Sequence, residues 1–256
     1  CVLPQACETA EHPRYHVCLR NAPPLKADAV VLATPAYISA QLVEGFHPSL
    51  AAALRAIPYV SSATISLAYR RSDVPHPLDG FGFLVGRHEE RRIMAASWTS
   101  SKFPHRAPAD CVLLRAFVGG TGQEALVARD DADLIQLARE ELGAIMGIAA
   151  EPLLARVYRW ERSNPQYHVG HLERVSALEA MLAPFPGVWL TGSAYRGVGV
   201  SDCIYQGTQM AERVVASLLR DRESRIEDRG LRIRAQGPSS RRGRARCPIE
   251  WPSACR

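Results

Sequence analysis

The sequence predicts a mixed fold, α/β plus α+β, in which strand–turn–helix segments flank a sheet-rich, largely antiparallel middle. Two observations carry this. Short continuous apolar runs at 28–33 and 188–193 each lead through a turn into a helical stretch, as strands buried on both faces do. Between them, from Ile57 to Phe117, strand-like segments follow one another with only polar or Pro-containing turns between. The 256 residues, 47% apolar and 22% charged, suit a folded chain with room for two domains. No run of about 18 apolar residues occurs, so no membrane-spanning helix is expected.

Taken in order, residues 14–20 alternate and read as a strand. Residues 28–33 read as a buried strand, Thr34-Pro35 as a turn, and the stretch to Glu44 as a helix with Pro at its start. Strand, tight turn and helix together are the grammar of an α/β nucleotide-binding domain. In the middle, strands are expected at 62–69, 80–85, 92–98, 111–118 and 155–160. A helix follows at 131–146, with Leu134, Ile135, Ala138, Leu142, Ile145 and Met146 on one face and Asp130-Asp131 at its start. A second spans 172–182 and stops before Pro184 and Pro186. After the strand at 188–193, the turn Gly197-Val198-Gly199-Val200 opens a helix near 202–219, with Ile204, Thr208, Ala211, Val215 and Leu218 sharing a face.

Charge divides the chain. Residues 221–256 hold ten Arg and five acidic residues, which is the whole net excess of +5, while residues 1–220 carry 21 basic and 21 acidic residues. The tail has no apolar periodicity and is expected to be disordered. No nucleic-acid partner is expected of the neutral body. Seven cysteines at irregular spacing, without a CxxC pair, exclude a zinc or redox motif and suit reduced, mostly buried thiols in a cytoplasmic protein. His168 and His171 lack further ligands at metal-like spacing and read as loop histidines. No GxSxG motif supports a serine hydrolase.

Four segments are distinctive. They are Ala27-Asp28-Ala29-Val30-Val31-Leu32-Ala33-Thr34-Pro35, Gly80-Phe81-Gly82-Phe83-Leu84-Val85, Arg159-Trp160-Glu161-Arg162-Ser163-Asn164-Pro165-Gln166-Tyr167-His168-Val169-Gly170-His171, and Thr191-Gly192-Ser193-Ala194-Tyr195-Arg196-Gly197-Val198-Gly199-Val200-Ser201-Asp202-Cys203-Ile204. In this order they resemble the flavin-dependent protoporphyrinogen/coproporphyrinogen oxidases, within the FAD amine-oxidase-like superfamily, over about residues 14–219. The resemblance implies part of a Rossmann-like FAD domain interrupted by a substrate domain with a largely antiparallel sheet. The expected division is 1–45 and 186–220 for the FAD domain, 46–185 for the substrate domain, and 221–256 for the tail.

The resemblance implies FAD as cofactor and a porphyrinogen as substrate. The flavin takes hydride from the porphyrinogen, and dioxygen reoxidises it to give hydrogen peroxide. Val198, Gly199 and Val200 match flavin contacts. A glycine turn lets backbone approach a flat ligand, and a helix start offers free N–H groups to the anionic edge of a reduced flavin. Trp160 matches an aromatic near the flavin. Ser193 stands where the family commonly has Asn, and keeps a hydroxyl. Val2 matches a backbone contact on the adenine side. Leu84, Ser97 and Phe117 match the wall of the tetrapyrrole slot, where an apolar, flat ligand calls for apolar neighbours. No general base stands out, and no metal is implied.

This chain holds no GxGxxG fingerprint, and Gly119-Gly120-Thr121-Gly122 lacks the spacing. It begins with Cys1, so a piece equivalent to the family's C-terminal half is expected. The alternatives are then a truncated, inactive fragment or a binding subunit that needs an N-terminal half in trans. A homodimer and peripheral membrane contact of the parent enzyme stay open.

Overall fold

The computed structural model describes residues 2–4, 15–86 and 88–235, with side chains described for Val2, 15–86 and 88–223. In chain order the elements are β1 (Val2–Pro4), β2 (Tyr15–Val17), β3 (Leu25–Ala27), β4 (Val30–Leu32), α1 (Ala36–Val43), α2 (Pro48–Arg55), β5 (Tyr59–Arg70), β6 (Gly82–Leu84), β7 (Ala95–Trp98), α3 (Thr99–Lys102), β8 (Cys111–Gly119), α4 (Glu124–Val127), α5 (Asp131–Met146), β9 (Leu154–Pro165), α6 (His171–Leu182), β10 (Val188–Leu190) and α7 (Val200–Ala235). They form two compact units: residues 58–166, and a discontinuous unit of 1–57 with 167–256.

The continuous unit is a five-stranded antiparallel sheet in the order β6-β7-β8-β5-β9. Strand alternation sends Ala63, Ile65, Leu67 and Tyr69 of β5, with Val112, Leu114, Ala116 and Val118 of β8, to one face. There they pack under Leu134, Leu137, Ala138, Leu142 and Met146 of α5 in a single core. The bounds of α5 are those the sequence predicts, and its caps show why. Asp130 Oδ1 accepts the Asp133 N–H at 2.8 Å, and Gly147 at φ +73° takes the left-handed position that ends a helix. Its buried stripe includes Leu137, while Ile135 and Ile145 are only half-buried. Glu141 is 7% exposed and tied to Arg91 at 3.2 Å and Arg92 at 3.1 Å.

In the discontinuous unit β10 pairs with β4 in parallel, Val188 opposite Val30 and Leu190 opposite Leu32. The small sheet β1-β2-β3 is antiparallel. The sequence shows no sign of α2, which begins at Pro48 with His47 Nδ1 accepting the Leu50 N–H at 3.2 Å. It buries Leu50, Ala51 and Leu54 and is tied to α6 through Arg174, whose guanidinium donates to the Ala56 carbonyl at 2.5 Å. Hence α2 and α6 group with the discontinuous unit, and the division falls at 57/58 and 166/167 instead of 45/46 and 185/186.

Four further expectations differ from the structure. Helix α7 runs to Ala235, into the segment read as a disordered tail; residues 220–229 mix acids and arginines without Gly or Pro, which suits a solvated helix. Residues 236–256 lie outside the described residues. Ile204, Thr208, Ala211, Val215 and Leu218 stand exposed, because α7 turns Cys203, Gln206, Met210 and Val214 inward and Gln206 Nε2 donates to the Gly197 carbonyl at 3.2 Å. Cys18, Cys111 and Cys203 form no disulfide among the described residues and are half-buried, not buried; the other four cysteines lie outside the described residues. His171 opens α6 and is buried, while His168 is exposed in the preceding loop.

Candidate functional site

In the continuous unit the sheet face opposite the core is open. Residues directly opposite across antiparallel strands project to one side, so the register writes this face out in rows. Phe117 of β8 lies opposite Ala95 of β7 and Thr64 of β5; Ala95 lies opposite Leu84, and Thr64 opposite Tyr158. One step along, Gly82, Ser97, Arg115, Ser66 and Arg156 make the next row. On the other side of the Phe117 row, Ser62 lies between Gly119 and Trp160.

Leu84, Ser97 and Phe117 come together here. With Phe81, Phe83, Met94, Ala95 and Ala96 they line a cleft of about 640 Å³, in which the Ser97 hydroxyl is the one polar side-chain group. Leu84 is 87% exposed. A glycine is required where β6 pairs with β7 at the cleft. Gly82 sits at φ +143°, and a Cβ there would stand 2.2 Å from the Ala96 carbonyl oxygen. Phe117 and Met94 also border a second cleft of about 1340 Å³, which takes in Thr64, Arg115, Tyr158, Trp160 and Gln166. Trp160 is 53% exposed and its indole N–H reaches Thr64 Oγ1 at 3.4 Å.

In the discontinuous unit the carboxyl ends of β4 and β10 come side by side. Ligands bind parallel α/β sheets at such ends. β10 runs into Thr191-Gly192-Ser193, and Thr191 N–H continues the pairing onto the Leu32 carbonyl at 3.1 Å. The turn from Ser193 to Val200 is then pinned by one side chain. The Tyr167 hydroxyl donates to the Ser193 carbonyl at 2.6 Å and accepts the Gly197 N–H at 2.9 Å. Its ring stacks on His171 at 3.9 Å and 12°, and His171 Nε2 meets the Tyr195 carbonyl at 2.9 Å. Burial raises the Tyr167 hydroxyl above the ordinary tyrosine pKa, against the lowering effect of the Gly197 N–H.

The glycines of this turn have an internal cause. At Gly197, φ +141°, a Cβ would stand 2.6 Å from Asp202 Cβ; at Gly199 it would stand 2.9 Å from Asp202 Oδ2. Asp202 folds back over the turn and accepts the Gly199 N–H at 3.1 Å. Val198 and Val200 flank it at 60% and 79% exposure. The first bond within α7 runs from Cys203 N–H to the Gly199 carbonyl, so the N–H groups of Val200, Ser201 and Asp202 have no acceptor within the helix.

The predicted cofactor residues are divided between the two units. Val198, Gly199, Val200 and Ser193 share the pinned turn of the discontinuous unit, whereas Trp160 stands on the open sheet of the other. Val2 is in β1 opposite Val17, with its side chain 1% exposed. Sequence reading missed Tyr167, Tyr158 and Arg115. Tyr158 and Arg115 could have been found by counting in twos from Trp160 and Phe117. Tyr167 gives no such signal, since its partners lie 26 and 30 residues away. Among the described residues no group of three or more His, Cys, Asp or Glu could hold a metal.

A family model for flavin containing amine oxidoreductases matches residues 8–215. The chain belongs to that family. Its similarity to the coproporphyrinogen III oxidase of Bacillus subtilis is 38% identity over 194 residues, which is 75% of this chain and 41% of the relative. The protoporphyrinogen oxidase of Bos taurus is 32% identical over 210 residues, 80% of this chain and 43% of that one. A solved structure from Exiguobacterium sp. 255-15, described as a candidate protoporphyrinogen oxidase, superposes with a TM-score of 0.68 at 34% identity, over 80% of this chain and 44% of that one. The chain therefore spans about two fifths of the length of the curated relatives it matches.

Membership of this family implies a flavin, and the pinned turn fits one. Exposed Val198 and Val200 offer an apolar rest for a flat ring, and three helix-start N–H groups without acceptors stand beside them. A reduced flavin gathers negative charge at one edge, which such donors stabilise.

Proposed function

We propose that this chain carries the tetrapyrrole-binding face and part of the FAD site of a porphyrinogen oxidase of haem biosynthesis, acting on coproporphyrinogen III or protoporphyrinogen IX with dioxygen as electron acceptor. The observation that carries the reading is the apolar cleft of Leu84, Ser97 and Phe117 on the open sheet. A macrocycle with apolar faces needs apolar contact and few polar groups. Phe117 offers a ring for stacking, Leu84 an aliphatic neighbour across Ala95, and Ser97 one hydroxyl for orientation.

The bound flavin supplies the two-electron acceptor. This chain's part is to hold it and to exclude water. Val198, Gly199 and Val200 would lie along the ring, with the helix-start N–H groups at its anionic edge. Tyr167 keeps that turn in shape, and Ser193 offers a hydroxyl from the strand end. Trp160 and Tyr158 extend the aromatic lining of the sheet. Taking a porphyrinogen to a porphyrin removes six electrons and six protons, balanced by three dioxygen molecules becoming three hydrogen peroxide molecules. Among the described residues no helix is long and apolar enough to cross a membrane; the reading places the protein in the cytoplasm.

A second reading rests on the chain's coverage of its relatives. Contacts to the FAD pyrophosphate would then come from residues outside these 256, so the chain alone would bind tetrapyrrole without turnover. The test is to purify the chain alone and together with the N-terminal half of the Bacillus subtilis relative, and to follow flavin absorbance and porphyrin fluorescence on adding coproporphyrinogen III. Porphyrin formed with hydrogen peroxide in a 1:3 ratio by either preparation supports the oxidase. Turnover only in the mixture supports the trans reading. No flavin and no turnover in either overturns the proposal.

A further inference from the structure

We infer that Arg115, seconded by Arg156, is the carboxylate anchor of the tetrapyrrole cleft and sets its preference for acidic side chains on the ligand. The inference rests on the porphyrinogen-oxidase reading and deepens it.

The register makes the case. Ser66 of β5 lies directly opposite Arg115 on one side and Arg156 on the other. Both arginines therefore leave the same open face, about two strand spacings or roughly 10 Å apart. Their row adjoins the row of Leu84, Ala95, Phe117, Thr64 and Tyr158, one alternation or about 7 Å along the strand. A flat ligand resting on Phe117 thus has a cationic row along one rim and none among the residues lining the Leu84 cleft itself.

The charges are unspent. Arg115 is half-buried, lines the larger cleft beside Phe117, and its Nε is buried without a hydrogen-bond partner. Buried donors are nearly always paired, so this one calls for an acceptor. Arg156 is exposed and, among the described residues, also makes no ion pair. The contrast with neighbouring arginines is sharp. Arg91, which borders the same cleft, is committed to Glu141 at 3.2 Å. Arg159, on the opposite face of β9, spends its guanidinium on the Val127 and Arg129 carbonyls and on Asp131. Of these four arginines, Arg115 and Arg156 have no carboxylate partner among the described residues.

A guanidinium fork matches a carboxylate in geometry and binds it through paired N–H donors. Porphyrinogens are apolar, puckered macrocycles with propionate carboxylates at the rim, so ring and rim find complementary surfaces side by side. A charge-assisted pair of this kind corresponds to about a 10- to 100-fold change in affinity.

The test uses the 256-residue chain, with coproporphyrin III as probe and its neutral tetramethyl ester as control, titrated by fluorescence in dilute detergent. The wild type is expected to bind the acid at least about tenfold more tightly than the ester. Arg115→Gln is expected to lose about 10- to 100-fold for the acid and to bind the ester as before, while Arg115→Lys recovers part of the loss. Should Arg115→Gln fail to fold, Arg156→Gln, an exposed change, is expected to show a smaller loss confined to the acid. Equal binding of acid and ester by the wild type, or an unchanged acid affinity in both Gln variants, overturns the anchor and leaves the cleft reading standing. Binding of neither probe overturns the cleft reading and the anchor with it.

Discussion

Tyr167→Phe removes one oxygen and, with it, both ends of the pin across the Ser193–Val200 turn. The lost bonds are the 2.6 Å donation to the Ser193 carbonyl and the 2.9 Å acceptance from Gly197 N–H. The phenyl ring keeps the stack on His171, and the His171 bond to Tyr195 is untouched. Each neutral hydrogen bond contributes about 1 kcal/mol net. The residue is 40% exposed, so water partly replaces them and the expected cost is about 1–2 kcal/mol. The assay is amide hydrogen exchange at Gly197 by NMR, with urea denaturation alongside. Gly197 exchange is expected to rise by roughly tenfold, the equivalent of 1.4 kcal/mol. A pH arm adds a signature that loss of packing alone would not give. The folded-state pKa of Tyr167 is raised above 10.0, so the neutral hydroxyl is favoured by folding. Its contribution is fully present below pH 10.0 and is lost as pH rises through the higher folded value. Wild type should lose stability in that alkaline window relative to Tyr167→Phe. Unchanged Gly197 exchange and parallel alkaline limbs would refute the pin.

The two glycines of the same turn should respond unequally. Gly197→Ala puts a Cβ 2.6 Å from Asp202 at a φ of +141°, and is expected to cost about 2–3 kcal/mol in urea denaturation. At Gly199 a Cβ meets the tip of the Asp202 side chain at 2.9 Å, with Ser201 Oγ at ordinary contact distance, so Gly199→Ala should cost about 1 kcal/mol, the bond to Asp202. In the other unit, desolvation would raise the Glu141 carboxyl, but the hydrogen bonds from Arg91 and Arg92 overcome it and hold the pKa below 4.5. Its contribution is present above pH 4.5 and is lost as pH falls through the lower folded value. Glu141→Gln should therefore destabilise by on the order of 2 kcal/mol at pH 7 and converge on the wild type in acid, as read by thermal denaturation across pH 2–7.

Much of the fold was legible because local signals and tertiary packing agree. The helix α5 carries an acidic cap, an apolar stripe and a closing glycine, and its bounds follow from those alone. The strands of the middle sheet announce themselves by alternation. Helix α2 was missed because Leu50, Ala51 and Leu54 form too short a stripe to stand out. The inward face of α7 was misread for a different reason: the helix is oriented by polar contacts of Gln206 and Cys203 with the Gly197 carbonyl, and its larger apolar residues stay outside. In the site, Leu84, Ser97 and Phe117 sit on three different strands. Their meeting depends on pairing register, which resemblance pointed to and spacing could not. Arg115 shares a face with Phe117 by simple alternation, whereas Tyr167 depends on contacts 26 and 30 residues away and no local pattern marks it.

The central claim is that the open face of the five-stranded sheet receives a tetrapyrrole. Ala95 stands between Leu84 and Phe117 on that face, so Ala95→Trp fills the cleft without entering the core beneath α5. Coproporphyrin III titrated against both proteins by fluorescence gives the answer. The account predicts saturable binding to the wild type and at least tenfold weaker binding to Ala95→Trp at an unchanged melting temperature. Equal affinity in the two would contradict it.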